Sequence, residues 1–558
     1  MQRLTSVAFA LSLLAGVAAC TGDVGDPETQ QGASGEPSGG SGGNPFGPDG
    51  FEPAPGGMRR LLSTEYIRSI GVVLGAEAAA EAVPPEDIAQ SGFDAIGAAT
   101  LSMSIDPVEF YERSAEAVAE AALTAPQRMA ELAPCITAGS AVDTCYEELA
   151  RNVGRLLWRR TLAEEEVASL VDVAKFAAAW EGEDDFHDAL KYELSAMLQS
   201  PAFLYITEVG IPDEVTKFRK LDPVELASRM SFFLLGRTPD AALIDQAEAG
   251  GLETEEEIRA TAEYMLAGDE AKVTLDSFYD ELFRLRNLHD TSKNAELFPD
   301  WTPTLADAMR TETLMLIDDV VWKDDADFRT MFNADFTFVN AELAKLYNVP
   351  APSGAGFEKV TLPEVQHRAG FTSQGAFLTH QSGPRRNSPT KRGKFVLSVL
   401  LCRTVKPPPP DVVPQLPENP PGNPSLQELL EQHMKDPSCS NCHGQTDPLG
   451  FAFEFYDAIG RFRTTDNGKP VSGQGEVATI GEWSNASDLG NVLAESEELG
   501  PCMVRNLVRG KLGWIENSKQ NPDVKVLSQS MAEHGHSLKQ LLVEMTSSRL
   551  FQYVNEPR

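Results

Sequence analysis

From Met58 onward, apolar residues recur at three- and four-residue intervals, the spacing of one face of an α-helix. Leu61, Leu62, Tyr66, Ile70, Val73 and Leu74 form the first such stripe, which Gly75 ends. The alanine-rich stretch from Pro107 to Ala125 and the stretch from Tyr146 to Leu157 repeat the pattern. Later helix starts are marked by capping residues. Asp222-Pro223-Val224-Glu225 places a cap, a first-turn proline and a third-position carboxylate ahead of Leu226, Met230, Phe233 and Leu234. Thr254 precedes Glu255, Glu256 and Glu257, whose charges suit a helix N-terminus. Thr302-Pro303 opens a helix carrying Leu305, Met309, Met315 and Ile317. Strand signals are sparse, and the Gly-rich run from Val471 to Trp483 predicts a small hairpin. The pattern therefore predicts a mainly α chain of several helical modules with a small β-hairpin element.

One internal repeat stands out. Met197, Ser200, Phe203, Tyr205 and Glu208 recur as Met545, Ser548, Phe551, Tyr553 and Glu556, each at the same interval, and Ala150-Arg151-Asn152 echoes Val504-Arg505-Asn506. Two related helical units, 150–208 and 485–558, are predicted; the alternative is a coincidence of two amphipathic helices.

A chain of 558 residues with 42% hydrophobic content exceeds one core and divides into roughly three or four packed units. The expected units are N-terminal helical modules over 58–210, a central helical domain over 215–350, a cysteine-bearing module over 360–484 and a C-terminal helical module over 485–558. The net charge of −36, from 47 basic and 83 acidic residues, repels nucleic acid and anionic lipid. It suits solubility outside the cytoplasm, or a basic redox or protein partner. Residues 1–20 read as an export signal: Arg3 precedes the apolar run Val7 to Ala19, which is too short to span a membrane. Val17-Ala18-Ala19-Cys20 resembles a bacterial lipobox, in which Cys20 becomes the lipidated first residue; ordinary cleavage after small residues is the alternative. Residues 21–57 have the Gly, Pro and Ser composition of a disordered tether. No later run is apolar enough to cross a membrane, so the N-terminal lipid would be the only membrane link.

Among the 7 cysteines, Cys439-Ser440-Asn441-Cys442-His443 has the Cys-x-x-Cys-His spacing of a c-type haem attachment site. Two thiols three residues apart can each take one vinyl group as a thioether, and His443 then lies where its imidazole can reach the haem iron. A redox disulfide, half of a zinc site or a structural turn would use the same residues. Export favours paired thiols elsewhere, Cys135 with Cys145 and Cys402 with Cys502. Ser425-Leu426-Gln427-Glu428 is a capping box for a helix leading into Cys439. Upstream, Arg385, Arg386, Lys391, Arg392 and Lys394 form a basic run before a proline-rich strap that begins at Pro407. The run is either a solvated patch or a partner for haem propionates, with Arg392 the candidate for that contact. A backbone carbonyl near Pro448 is the expected acceptor for the proximal imidazole proton. Phe451, Phe453 and Phe455 wall the haem or belong to the core. For the distal ligand, Met503 and Met531 lie C-terminal to the motif, with His534 and His536 as alternatives. His433 and Met434 are set aside as too near in sequence. Gly-x-Ser-x-Gly, a Walker-type loop and His-Glu-x-x-His are all missing from the sequence.

A wider pattern joins these pieces: Arg368-Ala-Gly-Phe371, Ser388-Pro389-Thr-Lys391-Arg392-Gly393-Lys394, the proline strap, the pentapeptide, Asp447-Pro448-Leu449-Gly450 and Asp457-Ala-Ile459-Gly460-Arg461. In this order they resemble the exported planctomycete- and myxobacterial-type multidomain family, built from several domains of unknown function around a cytochrome c-like motif. Arg59-Arg60-Leu61, Leu157-Trp158-Arg159-Arg160 and Phe336-Thr337-Phe338-Val339-Asn340 extend the resemblance over nearly all of the chain after the tether. It implies a cytochrome c-like haem module, with haem c held covalently by Cys439 and Cys442, His443 on the iron, export and a redox role. It brings no substrate. The C-terminal module departs from the family pattern, reading Gly510-Lys511-Leu512-Gly513-Trp514 where a Leu-Gly-Arg is expected.

The expectation is a lipid-anchored haem protein of the bacterial cell envelope, facing the periplasm or held on the outer membrane. It would serve electron transfer with a redox partner protein, or form the redox component of an oxidoreductase. The alternatives are a non-catalytic scaffold or binding lipoprotein with a disulfide or zinc at the pentapeptide, and an open-site haem enzyme of peroxidase or oxygenase type.

Overall fold

The computed structural model describes residues 50–138, 142–180, 185–405, 422–435 and 437–557. The export signal, Cys20, most of the tether and the run of prolines from Pro407 to Pro421 lie outside the described residues. The fold is mainly helical, and its strands pair only in short antiparallel ladders. The predicted caps form. Asp222 accepts hydrogen bonds from the N–H groups of Val224 and Glu225, and Thr254, Thr302 and Ser425 cap their helices in the same way. The hairpin pairs Gly475–Val477 with Gly481–Trp483. No helix among the described residues is long and apolar enough to cross a membrane.

The apolar residues bury into two large clusters. One gathers residues between Leu61 and Ile206 with Phe232, and the other runs from Leu221 to Val554 and also takes in Phe51, Phe93 and Ile96. The three stretches 215–350, 360–484 and 485–558 therefore share one core. Tyr279 points its hydroxyl at the Met503 sulfur 3.9 Å away, and the rings of Phe233 and Phe551 pack 5.2 Å apart. Both expected disulfides are present: Cys135–Cys145, and Cys402–Cys502 across a separation of 100 residues. The second ties the segment entering the proline strap to the helix Leu499–Leu507.

The tether composition extends to Gly57, but the folded body begins earlier. Phe51 is fully buried beneath the Arg549 guanidinium, 4.5 Å from its ring. The Gly56 N–H donates to the Asn555 carbonyl at 2.9 Å, and the Asn555 N–H to the Ala54 carbonyl at 2.7 Å. Composition missed this because one buried aromatic among many small residues fixes the segment.

The internal repeat is structural. Ser200 and Ser548 each precede a short helix, Pro201–Leu204 and Arg549–Gln552, which runs into a strand at Tyr205 or Tyr553. In both units an upstream helix widens into a π-turn, Ala150–Gly154 or Val508–Leu512. A left-handed residue follows, Arg159 (φ 64°) or Gly513 (φ 79°). Arg159 is buried and donates to the carbonyls of Ala202, Phe203 and Tyr205. Gly513 supplies no such clamp. Its place is taken from elsewhere, because Arg229 donates to the Phe551 carbonyl while its other nitrogens bind Glu208.

The helix Pro437–Phe451, which carries the pentapeptide, crosses the helix Pro389–Phe395 with backbone against backbone. A methyl group at Gly393 would land on the Thr446 carbonyl oxygen, and one at Gly450 on the Pro389 carbonyl oxygen. Arg392, next to Gly393 and fully buried, donates to the carbonyls of Leu378, Phe453, Tyr456 and Asp457 and to the Ser382 hydroxyl. Arg368 makes a second clamp. It is held between the rings of Tyr347 and Tyr456 and donates to the carbonyls of Ser373 and Gly460.

These contacts predict a contrast between glycines of one helix. Gly450→Ala should lower unfolding stability by about 3 kcal/mol through overpacking. Gly444→Ala, with nothing within 4 Å of the new methyl, should raise it by about 1 kcal/mol. Urea unfolding midpoints of the two variants check this.

A separate expectation concerns Glu193 in the helix Asp185–Gln199. Both carboxyl oxygens are buried without a hydrogen-bond partner, and burial pushes the group up to about 9 from 4.5. A carboxyl raised on folding contributes most below pH 4.5, and that contribution is lost as pH rises toward 9, at about 1.4 kcal/mol per pH unit. Thermal unfolding of Glu193→Gln should therefore match the parent at pH 4, exceed it at pH 8 and lack its fall between the two.

Candidate functional site

The Ser425 cap starts the helix Leu426–His433, and the chain reverses after Met434 to enter the helix Pro437–Phe451. Within that second helix Cys439, Cys442 and His443 occupy positions i, i+3 and i+4, so they share one face. Cys439 is buried and Cys442 half-buried, and neither takes part in a disulfide.

The His443 ring is oriented one turn further along. Its Nδ1 lies 2.8 Å from Oδ2 of Asp447, whose side chain is fully buried, and the Asp447 Oδ1 accepts the Thr446 hydroxyl at 3.1 Å. With Asp447 accepting the Nδ1 proton, the lone pair of the neutral ring sits on Nε2, the nitrogen positioned to bind a metal. The same hydrogen bond holds the His443 pKa above its ordinary value. The expected acceptor was a backbone carbonyl near Pro448; the carboxylate one residue earlier takes that part. Burial, aided by the Asp447 charge, pushes the Cys442 thiol up, against a weaker pull from Lys394. A redox-active dithiol needs the opposite shift.

The fold brings His433 to this face. Its ring centroid is 4.9 Å from that of His443, with the planes at 83°. Met434 packs beside it on a small apolar cluster of Leu426, Leu430 and Phe451. Nearness in sequence argues against both residues as partners, but the chain reversal after Met434 turns that nearness into contact. Met503 and Met531 lie in the main core, the first against Tyr279 and the second beside Gly500. His534 is bonded to the Ser530 carbonyl of its own helix end, and His536 is half-buried beside Asp327 and Arg329. Of the three phenylalanines, Phe451 belongs to the small cluster. Phe453 packs on Phe377 in the core, and Phe455 stacks with Phe462.

Arg392 carries a structural duty that its sequence context hid. Five oxygen atoms of its own chain surround the guanidinium, and burial lowers its pKa to about 10. From the same helix, exposed Lys394 is the cation whose charge reaches Cys442. Asp447 is the functional residue that sequence reasoning passed over. Its signal was the i+4 spacing from His443, legible only once the pentapeptide is placed on a helix that continues past Pro448. Among the described residues, no three His, Cys, Asp or Glu side chains converge in a way that would hold a metal ion.

Four family models match the chain in sequence order, each described as a protein of unknown function. They are PSD3 (DUF1587) over 59–124, PSD5 (DUF1595) over 145–208, PSD4 (DUF1592) over 221–349 and PSCyt3 (DUF1588) over 368–466. No curated protein and no solved structure matches the chain. The first two matched segments lie mostly in the N-terminal apolar cluster, with Phe93 and Ile96 of the first reaching the larger one, to which the last two contribute. Segments similar to four domains of unknown function thus follow one another along the chain, and the match to the last spans the pentapeptide and both helices that position it.

Proposed function

We propose that this protein is an exported, lipid-anchored c-type haem protein serving electron transfer, alone or as the redox component of an oxidoreductase. The observation that carries the reading is the buried Asp447 carboxylate 2.8 Å from His443 Nδ1, on a helix whose same face presents Cys439 and Cys442. The matched PSCyt3 family, whose name points to cytochromes, adds support. The donor set fits haem c: two cysteines for the thioethers, and an imidazole with Nε2 available for the iron. Haem held there would supply a one-electron couple. The chain's own residues would fix its edge through the cysteine pair, orient the proximal ring through Asp447, and hold the whole helix in place through Gly393, Gly450 and Arg392.

His433, whose ring lies 4.9 Å from that of His443, would be a second imidazole available to a group held there once the two rings part. A basic redox protein suits the acidic surface beside this helix pair. Glu431, Glu476, Glu482 and Asp488 line a cleft of about 680 Å³ there. Export and lipidation at Cys20 remain part of the proposal, resting on the first twenty residues of the sequence.

Expression together with a cytochrome c maturation system tests the reading. Haem should stay with the protein on a denaturing gel and give a reduced pyridine-haemochrome band, and Cys439→Ser with Cys442→Ser should abolish both. A low-spin spectrum that becomes high-spin and binds carbon monoxide in His433→Ala would assign the second ligand. Folded protein without covalent haem would sink the proposal.

A further inference from the structure

The N-terminal helical unit holds a cavity of about 220 Å³ between the helices Ile105–Thr124, Glu164–Ala178 and Asp185–Gln199. Drug-sized ligands occupy sites of about 300–1,000 Å³, so this one takes only a small group. Three aromatic side chains line it. The Phe176 and Trp180 ring centroids are 5.5 Å apart at 79°, and those of Trp180 and Tyr192 are 4.8 Å apart at 75°. Phe176 is 66% and Trp180 47% exposed, so these large rings meet the cavity without a covering side chain of their own. Mutually perpendicular rings make a corner with π faces turned in two directions, and each face is the negative pole of the ring quadrupole.

Two carboxylates line the same cavity. Glu112 and Glu116 stand one turn apart on the helix Ile105–Thr124, and neither forms an ion pair among the described residues. One turn further on, Glu120 is bound by Lys191 at 3.0 Å and His187 at 3.3 Å. The helix Glu164–Ala178 also ends here, with its negative dipole end near Trp180. Aromatic faces, two carboxylates, of which only Glu116 is in reach of Lys191, and a helix C-terminus all favour a positive charge. The apolar walls favour one that is weakly hydrated.

We propose that this cavity binds an alkylated ammonium group, such as the trimethylammonium head of choline or a betaine. Its methyl groups would lie on the faces of Phe176, Trp180 and Tyr192, and its charge would be balanced by Glu112 and Glu116. A primary ammonium is a compact, strongly hydrated ion and suits these walls less well. The proposal is independent of any haem at the pentapeptide.

Titration calorimetry and saturation-transfer NMR on the intact protein test it, with tetramethylammonium and choline as ligands and uncharged 3,3-dimethyl-1-butanol as the isostere. Both cations should bind about tenfold more tightly than the isostere, and Trp180→Ala should remove about tenfold of cation affinity. Glu112→Gln with Glu116→Gln should weaken choline several-fold and leave the melting temperature within a degree or so, since neither carboxylate forms an ion pair among the described residues and Glu116 acts on Lys191 only through its charge. Retention on phosphatidylcholine but not phosphatidylglycerol vesicles, lost in Trp180→Ala, would assign the head group to lipid. Choline binding without such retention would assign it to a free solute. Equal binding of choline and the isostere, choline affinity indifferent to Trp180→Ala, or no detectable cation binding would each overturn the proposal.

Discussion

The geometry at the pentapeptide depends on a contact that contains no side chain. Where the helices Pro389–Phe395 and Pro437–Phe451 cross, Gly393 meets the Thr446 carbonyl and Gly450 meets that of Pro389. So close an approach fixes the position of the second helix, since any larger residue would push the two apart. His443 and Asp447 flank the contact within one turn on either side of Thr446, so the ring orientation follows from the crossing. Arg392 reinforces it by collecting the carbonyls of the chain just beyond the helix. A buried guanidinium shared among backbone oxygens is costly to disturb, because removing it strands several acceptors at once.

Features written in local chemistry could be read from the sequence. Capping residues act within a few residues of themselves, and cysteine parity needs only a count, so the caps and both disulfides stand in the structure where the sequence placed them. Features that depend on chain reversal or on distant packing could not. His433 was judged by its separation along the chain, but the turn after Met434 folds that separation back on itself. Arg392 was judged by its basic neighbours, and its role is set by carbonyls more than sixty residues away. Met503 and Met531 follow the motif as an axial methionine would, but amphipathic packing had already committed them to the core. The merging of three expected units into one cluster had no local signal, because an inward-facing apolar stripe does not say which other stripe it will meet.

The two copies of the repeat reach the same local backbone plan with different donors. In the N-terminal copy the left-handed residue after the π-turn is Arg159, which clamps the carbonyls of the following short helix. In the C-terminal copy the same position is Gly513, and the corresponding Phe551 carbonyl is served by Arg229 from the domain in between. Because Arg229 also pairs with Glu208 at the end of the first copy, one guanidinium joins the two copies. At the position of Arg159 the C-terminal copy thus draws its donor from across the shared core.

The pairing of residues 54–56 with Asn555, and the burial of Phe51 beneath Arg549, set an order of assembly for a chain made from its N-terminal end. Residues 54–56 have hydrogen-bonding partners that are synthesised much later in the chain. Until residue 555 is available, the N-terminal strap carries unsatisfied backbone groups and an uncovered aromatic ring. Premature termination would therefore leave a lesion at both ends of the chain, and proteases that recognise loose, apolar segments would meet an incomplete product at a place far in sequence from the defect.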